Sequence, residues 1–81
     1  MSAPIVMLTG HKASQYALRY RATVLETANL SEATDAVKAC LAGVTTGWEI
    51  KYTTSYFILD DYGEMEHTAS VELVYVPAAR S

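Results

Sequence analysis

Four carboxylates (Asp60, Asp61, Glu64 and Glu66) and one histidine (His67) crowd into the stretch DDYGEMEHTA, residues 60–69. Side chains of these types at this spacing could ligate a metal ion, move protons, or rim a hairpin turn. Local geometry decides among the three. Asp60-Asp61-Tyr62-Gly63 suits a type I turn followed by a glycine in the left-handed region, which sets Asp60 opposite Gly63. Continuing inward pairs Ile58 with Met65, Tyr56 with His67, Tyr52 with Val71, Ile50 with Leu73 and Trp48 with Tyr75. In that register Glu64 and Glu66 point to one sheet face and Met65 and His67 to the other, so His67 cannot readily share a metal with the glutamates. Asp60 and Asp61 lack the spaced oxygen ligands of a calcium loop. The stretch reads as an acidic hairpin tip, and neither a metal nor a cofactor is expected.

No other group of residues supplies a reaction. Cys40 falls on the apolar stripe of a predicted helix, far along the chain from His11 and His67, and reads as a buried structural thiol. His11 lies in a polar loop. No G-x-S-x-G elbow is present, and GHKAS lacks the G-K-[ST] of a phosphate loop. A non-enzymatic protein is expected.

The elements that carry these residues follow from hydrophobic period. APIVMLT (3–9) is a short β-rich run closed by Gly10 and the polar stretch GHKASQ. From Tyr16 the period is two: Tyr16, Leu18, Tyr20, Ala22 and Val24 share one face, with Arg19, Arg21 and Thr23 on the other. A hairpin across the 10–15 loop joins these strands. In ANLSEATDAVKACLAGV, Ala33, Ala36, Val37, Cys40 and Leu41 recur at helical spacing. Asn29 or Ser31 caps the start and Gly43 marks the stop of a helix of about 12 residues, roughly 18 Å long. Its small side chains let it sit close on a sheet. Residues 45–77 form one long hairpin, with Trp48, Ile50, Tyr52, Tyr56 and Ile58 sharing a face and Pro77 ending it.

Four strands and one helix in the order ββαββ predict an α+β fold, one helix packed on one face of a four-stranded antiparallel sheet. The helix returns the chain so that the third strand parallels the second. Placing the fourth strand between them makes every neighbour antiparallel, sheet order 1-2-4-3; a simple meander is the alternative.

The 81 residues make one domain with a small core. Hydrophobic residues at 51% and charged residues at 19% are a globular balance, and no apolar run approaches the ~20 residues of a membrane span. A net charge of -3 turns the expectation away from direct nucleic-acid contact and toward a protein partner with a basic surface. One cysteine and the absence of a signal-peptide pattern at the start fit the cytoplasm.

The sheet faces suggest where binding occurs. The face away from the helix carries Thr53, Ser55, Thr68 and Ser70, with Lys51 opposite Glu72; Phe57 is its one aromatic. On the helix side, a strand of 12 residues is about 40 Å long, so the helix leaves Tyr56, Ile58, Met65 and His67 uncovered. The candidate partner-binding set is therefore Tyr52, Tyr56, Asp60, Asp61, Tyr62, Glu64, Met65, Glu66 and His67. The same uncovered surface could serve a homodimer, as in a homo-oligomeric phage or bacterial structural domain. The hydroxyl-rich face could instead serve a small ligand or a single-stranded nucleic acid.

The stretch ANLSEATDAVKACLAG (28–43), set after a charged strand and before a hairpin, resembles the small phage-encoded inhibitors grouped as anti-CRISPR proteins. In layout the likeness covers residues 16 to 76. It implies a non-enzymatic protein that blocks a large nucleic-acid-guided complex by occupying a basic surface.

Overall fold

The computed structural model describes residues 3–59 and 65–79. The elements run β1 (Ile5–Ala13), β2 (Leu18–Leu25), α1 (Leu30–Leu41), β3 (Trp48–Leu59) and β4 (Met65–Pro77). All pairings are antiparallel and the sheet order is β1-β2-β4-β3, so the predicted ββαββ order and strand arrangement hold and the meander does not. The helix packs on one face. The core unites Leu18, Tyr20, Ala22 and Val24 of β2, Ala33, Val37 and Leu41 of α1, and Ala69, Val71, Leu73 and Tyr75 of β4. Full burial of each larger apolar side chain contributes roughly 1.5–3 kcal/mol.

The first connection is tighter than the sequence suggests. β1 continues through Gly10 to Ala13, and the chain reverses over residues 14–17. Ser14 makes this possible: its hydroxyl accepts from the amides of Tyr16 (3.1 Å) and Ala17 (3.2 Å), and its own amide donates to the Ala17 carbonyl at 2.9 Å. Tyr16 therefore lies in the turn, 73% exposed, and not on the buried face of β2.

Between β2 and α1 the chain leaves the sheet through Glu26, in the left-handed region at φ 58°. Thr27 is fully buried; its amide donates to the His67 carbonyl (3.1 Å) and its hydroxyl to the Asn29 carbonyl (2.9 Å). Asn29 is the cap, its side chain accepting from the Glu32 amide at 2.7 Å. At the other end Gly43 does not take the left-handed position. Thr45 closes the helix instead, amide and hydroxyl both donating to the Leu41 carbonyl (3.1 and 2.9 Å), and the positive φ falls at Gly47.

Cys40 is exposed, contrary to expectation. The buried stripe is Ala33, Val37, Leu41, and Cys40 lies about 60° around the helix from its centre, given about 100° per residue. Cys40 should thus react with a thiol reagent in the folded protein at nearly the rate of the unfolded chain, and Cys40→Ser should change stability by less than about 0.5 kcal/mol. Slow native labelling would place it back inside.

The predicted β3–β4 register is overturned. Tyr52 pairs with Val74 and not Val71, and Tyr56 with Ser70 and not His67. Trp48 and Ile50 pair with Pro77 and Tyr75 and not Tyr75 and Leu73, because β4 holds three residues (66–68) against the single Ile58 between the Phe57–Ala69 and Leu59–Met65 pairs. Lys51, an extra residue between Ile50 and Tyr52, then bulges and shifts the pairing by one more. Trp48 and Ile50 stay on the helix side. Beyond the bulge the alternation is reversed, so Thr53, Ser55 and Phe57 turn toward the helix while Tyr52, Thr54 and Tyr56 turn away. Phe57 packs against the core. After the register shift between Phe57 and Leu59, Met65 faces Leu59 and not the predicted Ile58. Deleting Lys51 would remove the bulge without moving any ladder pair, so the deletion variant should fold, at a cost of no more than about 1 kcal/mol by urea denaturation. Under the sequence-based register the same deletion would turn half of β3 inside out and the variant would not fold.

Candidate functional site

The face opposite the helix is made by two bulges. In β1, Leu8 faces Ala22 and Gly10 faces Arg21, so Thr9 is the extra residue and Gly10 and Lys12 are brought onto the side of Arg19 and Arg21. In β3 the Lys51 bulge brings Tyr52 and Tyr56 to the same side. Between them β4 contributes Ser70, Glu72 and Val74, opposite Thr23, Arg21 and Arg19 of β2. Lys12, Arg19, Arg21, Tyr52 and Tyr56 are all exposed, the two tyrosines by 40% and 58%.

Glu72 organises the centre. Arg21 Nε donates to Glu72 Oε2 at 3.3 Å, and Arg19 Nε lies 4.0 Å from the same oxygen. Arg19 Nη2 reaches the Tyr52 hydroxyl at 3.4 Å. Such exposed ion pairs add about 0–1 kcal/mol of stability each. Their effect here is positional: one carboxylate holds two guanidiniums over β4 and leaves the cluster positive.

Shallow hollows mark the face. One of about 250 Å³ is lined by Gly10, His11, Lys12, Arg19 and Arg21. The His11 ring itself stacks on Tyr20, centroids 4.9 Å apart, on the helix side. A second hollow of about 320 Å³, lined by Thr9, Arg21, Thr54, Tyr56, Ser70 and Glu72, shares Arg21 with the first. The first is lined by cations and the second by the Tyr56 ring, hydroxyls and Glu72. Guanidinium and ammonium donors, hydroxyls and an aromatic face are binding chemistry. Among the described residues no group of three or more His, Cys, Asp or Glu side chains is placed to hold a metal. Burial pushes the Tyr75 phenol above its usual 10.0, against a lowering by the Thr45 hydrogen bond, but Tyr75 is a core residue of the other face.

Of the sequence candidates, the structure brings Tyr52 and Tyr56 together, on the open face and not the helix side. His67 is exposed near the start of β4, and Met65 and Glu66 enter only as backbone positions of that strand. Asp60, Asp61, Tyr62 and Glu64 lie outside the described residues. The hydroxyl-rich set is divided: Thr68 and Ser70 keep to the open face, while Thr53 and Ser55 join the helix side. The candidate set missed Lys12, read as loop, and also Arg19 and Arg21, for which the alternation along β2 was the visible signal.

Comparison with family models, curated proteins and solved structures finds no match to this chain. Among the described residues no helix is long and apolar enough to cross a membrane.

Proposed function

We propose that this chain is a non-enzymatic, cytoplasmic binding module whose docking surface is the open face of its sheet. One observation carries the reading. Lys12, Arg19 and Arg21, half of the six basic residues of a chain with net charge -3, meet two exposed tyrosines on a surface the helix does not cover. Arginine and tyrosine are the residue types that supply most binding energy at interfaces. The anti-CRISPR-type reading would place an acidic turn on a basic partner. The open face carries the opposite sign and suits an anionic one.

Capture from a bacterial lysate tests this. Arg21→Glu combined with Tyr56→Asp, both at exposed positions, should keep the circular dichroism of the wild type and lower retention of its ligands at least about tenfold. Lys38→Glu, the same charge reversal as Arg21→Glu but on the exposed side of α1, should retain them. Equal retention by the open-face variant would move the docking surface elsewhere.

A further inference from the structure

We infer that the ligand of the open face is a single-stranded nucleic acid, its phosphates over Lys12, Arg19 and Arg21 and its bases stacked on Tyr52 and Tyr56; this rests on the docking surface proposed above. Charge complementarity is the first argument. The hollow lined by Gly10, His11, Lys12, Arg19 and Arg21 holds three fixed cations, and among the described residues no carboxylate lines it. The net charge of -3 averages this away: among the described acids Glu26 follows β2 and Glu32 and Asp35 lie on α1, while Glu49, paired with Val76, shares the open face but sits beyond Tyr52 at the Trp48 end of β3. Glu72, within the face, is engaged by Arg21 at 3.3 Å.

The aromatic rings are the second argument. Cations alone would suit any polyanion, but Tyr52 and Tyr56 stand exposed on the same side of β3 with Thr54 between them. A sheet surface that offers rings beside cations is how unpaired bases are held, since every base has a face to stack and a backbone to neutralise. A duplex buries those faces, and a carboxylate-rich peptide has none. The distances agree. The strands that carry the arginines and the rings, β2 and β3, lie about 10 Å apart across β4 at the usual strand spacing, and Arg19 Nη2 reaches over β4 to the Tyr52 hydroxyl at 3.4 Å. Arg21, shared by both hollows, and the hydroxyls of Thr9, Thr54 and Ser70 line the path between.

Fluorescence anisotropy of the full chain with labelled, mixed-sequence oligonucleotides tests the inference. Single-stranded DNA or RNA should bind with a dissociation constant of about 1–100 μM at physiological salt. The duplex of the same sequence and polyglutamate should bind at least about tenfold more weakly. Tyr52→Ala and Tyr56→Ala should each weaken single-strand binding about fivefold or more, while Tyr52→Phe, which keeps the ring, should not. Lys12, Arg19 and Arg21 changed together to Gln should lower the slope of log affinity against log salt by about 2, at roughly 0.7 per phosphate contact on single strands. Circular dichroism confirms that each variant folds. Binding of duplex or polyglutamate as tight as single strands, with no loss in the tyrosine variants, would overturn the inference and leave the face a dock for acidic proteins. The same holds if no oligonucleotide binds while lysate capture still depends on Arg21 and Tyr56. Concentration-dependent dimers in light scattering that vanish in the open-face variant, with no oligonucleotide bound, would assign the face to a second copy. If neither capture nor oligonucleotide binding depends on the face, the inference and the docking proposal both fall.

Discussion

Replacing Leu73 by alanine should destabilise the protein by about 3 kcal/mol. Leu73 has no exposed surface and lies in the middle of β4, between Tyr20 of β2 and Thr53 of β3, with α1 above it. Truncation removes the transfer energy of the lost carbons and leaves a cavity that a central strand, hydrogen-bonded on both sides, cannot collapse; such changes cost about 2–5 kcal/mol. A chain of this length has roughly 4–12 kcal/mol in total. The melting temperature should therefore fall by roughly 10–25 °C in a circular dichroism melt. Tyr52→Ala, at an exposed position of the adjacent strand, should move it far less. A drop of only a few degrees for Leu73→Ala would mean that β4 presents its other face to the helix.

The second large effect is expected from adding atoms. Ala33 is fully buried in the first turns of α1, in a cluster that also holds Ala22 and Ala69 at 0–1% exposure. Small residues on both layers let helix and sheet approach closely. Ala33→Leu must push the helix away or force strained rotamers, a cost of roughly 1–3 kcal/mol. Leucine is nearly as good a helix former as alanine, so the loss reports on spacing and not on propensity. Urea denaturation should show a lower midpoint with an unchanged slope. Ala36→Leu, at a half-buried flank, serves as the control and should cost less than about 1 kcal/mol. Stabilisation by Ala33→Leu would reveal a void beneath the helix.

The sequence by itself determined the elements and their order. The helical stripe, the cap and the alternation of β2 are local patterns, enforced within a few residues. Ala33, Val37 and Leu41 of the stripe are buried, Asn29 of the two cap candidates is the cap, and β2 alternates from Leu18, though Cys40 and Tyr16 fall outside these patterns. The strand order was legible because a return through a 12-residue helix leaves few antiparallel solutions. The face to which β3 turns its tyrosines was not legible. Trp48, Ile50, Tyr52, Tyr56 and Ile58 make an even-numbered set interrupted by Thr54, and tyrosine, with an apolar body and a polar tip, fits either face. Ala69, Val71 and Leu73 must face α1, because β2 holds β4 in place through Val24, Ala22 and Tyr20. β3 then follows whichever register seats Phe57 on that side, and one unpaired residue, Lys51, suffices to change the phase. A bulge is settled by hydrogen bonds between strands distant in sequence, which a period of two does not record. The same reason hid Lys12: Thr9 bulges because β1 follows the register of β2, and only that pairing sets Lys12 beside Arg19. Tertiary pairing alone therefore decided that the exposed face carries cations and aromatic rings together.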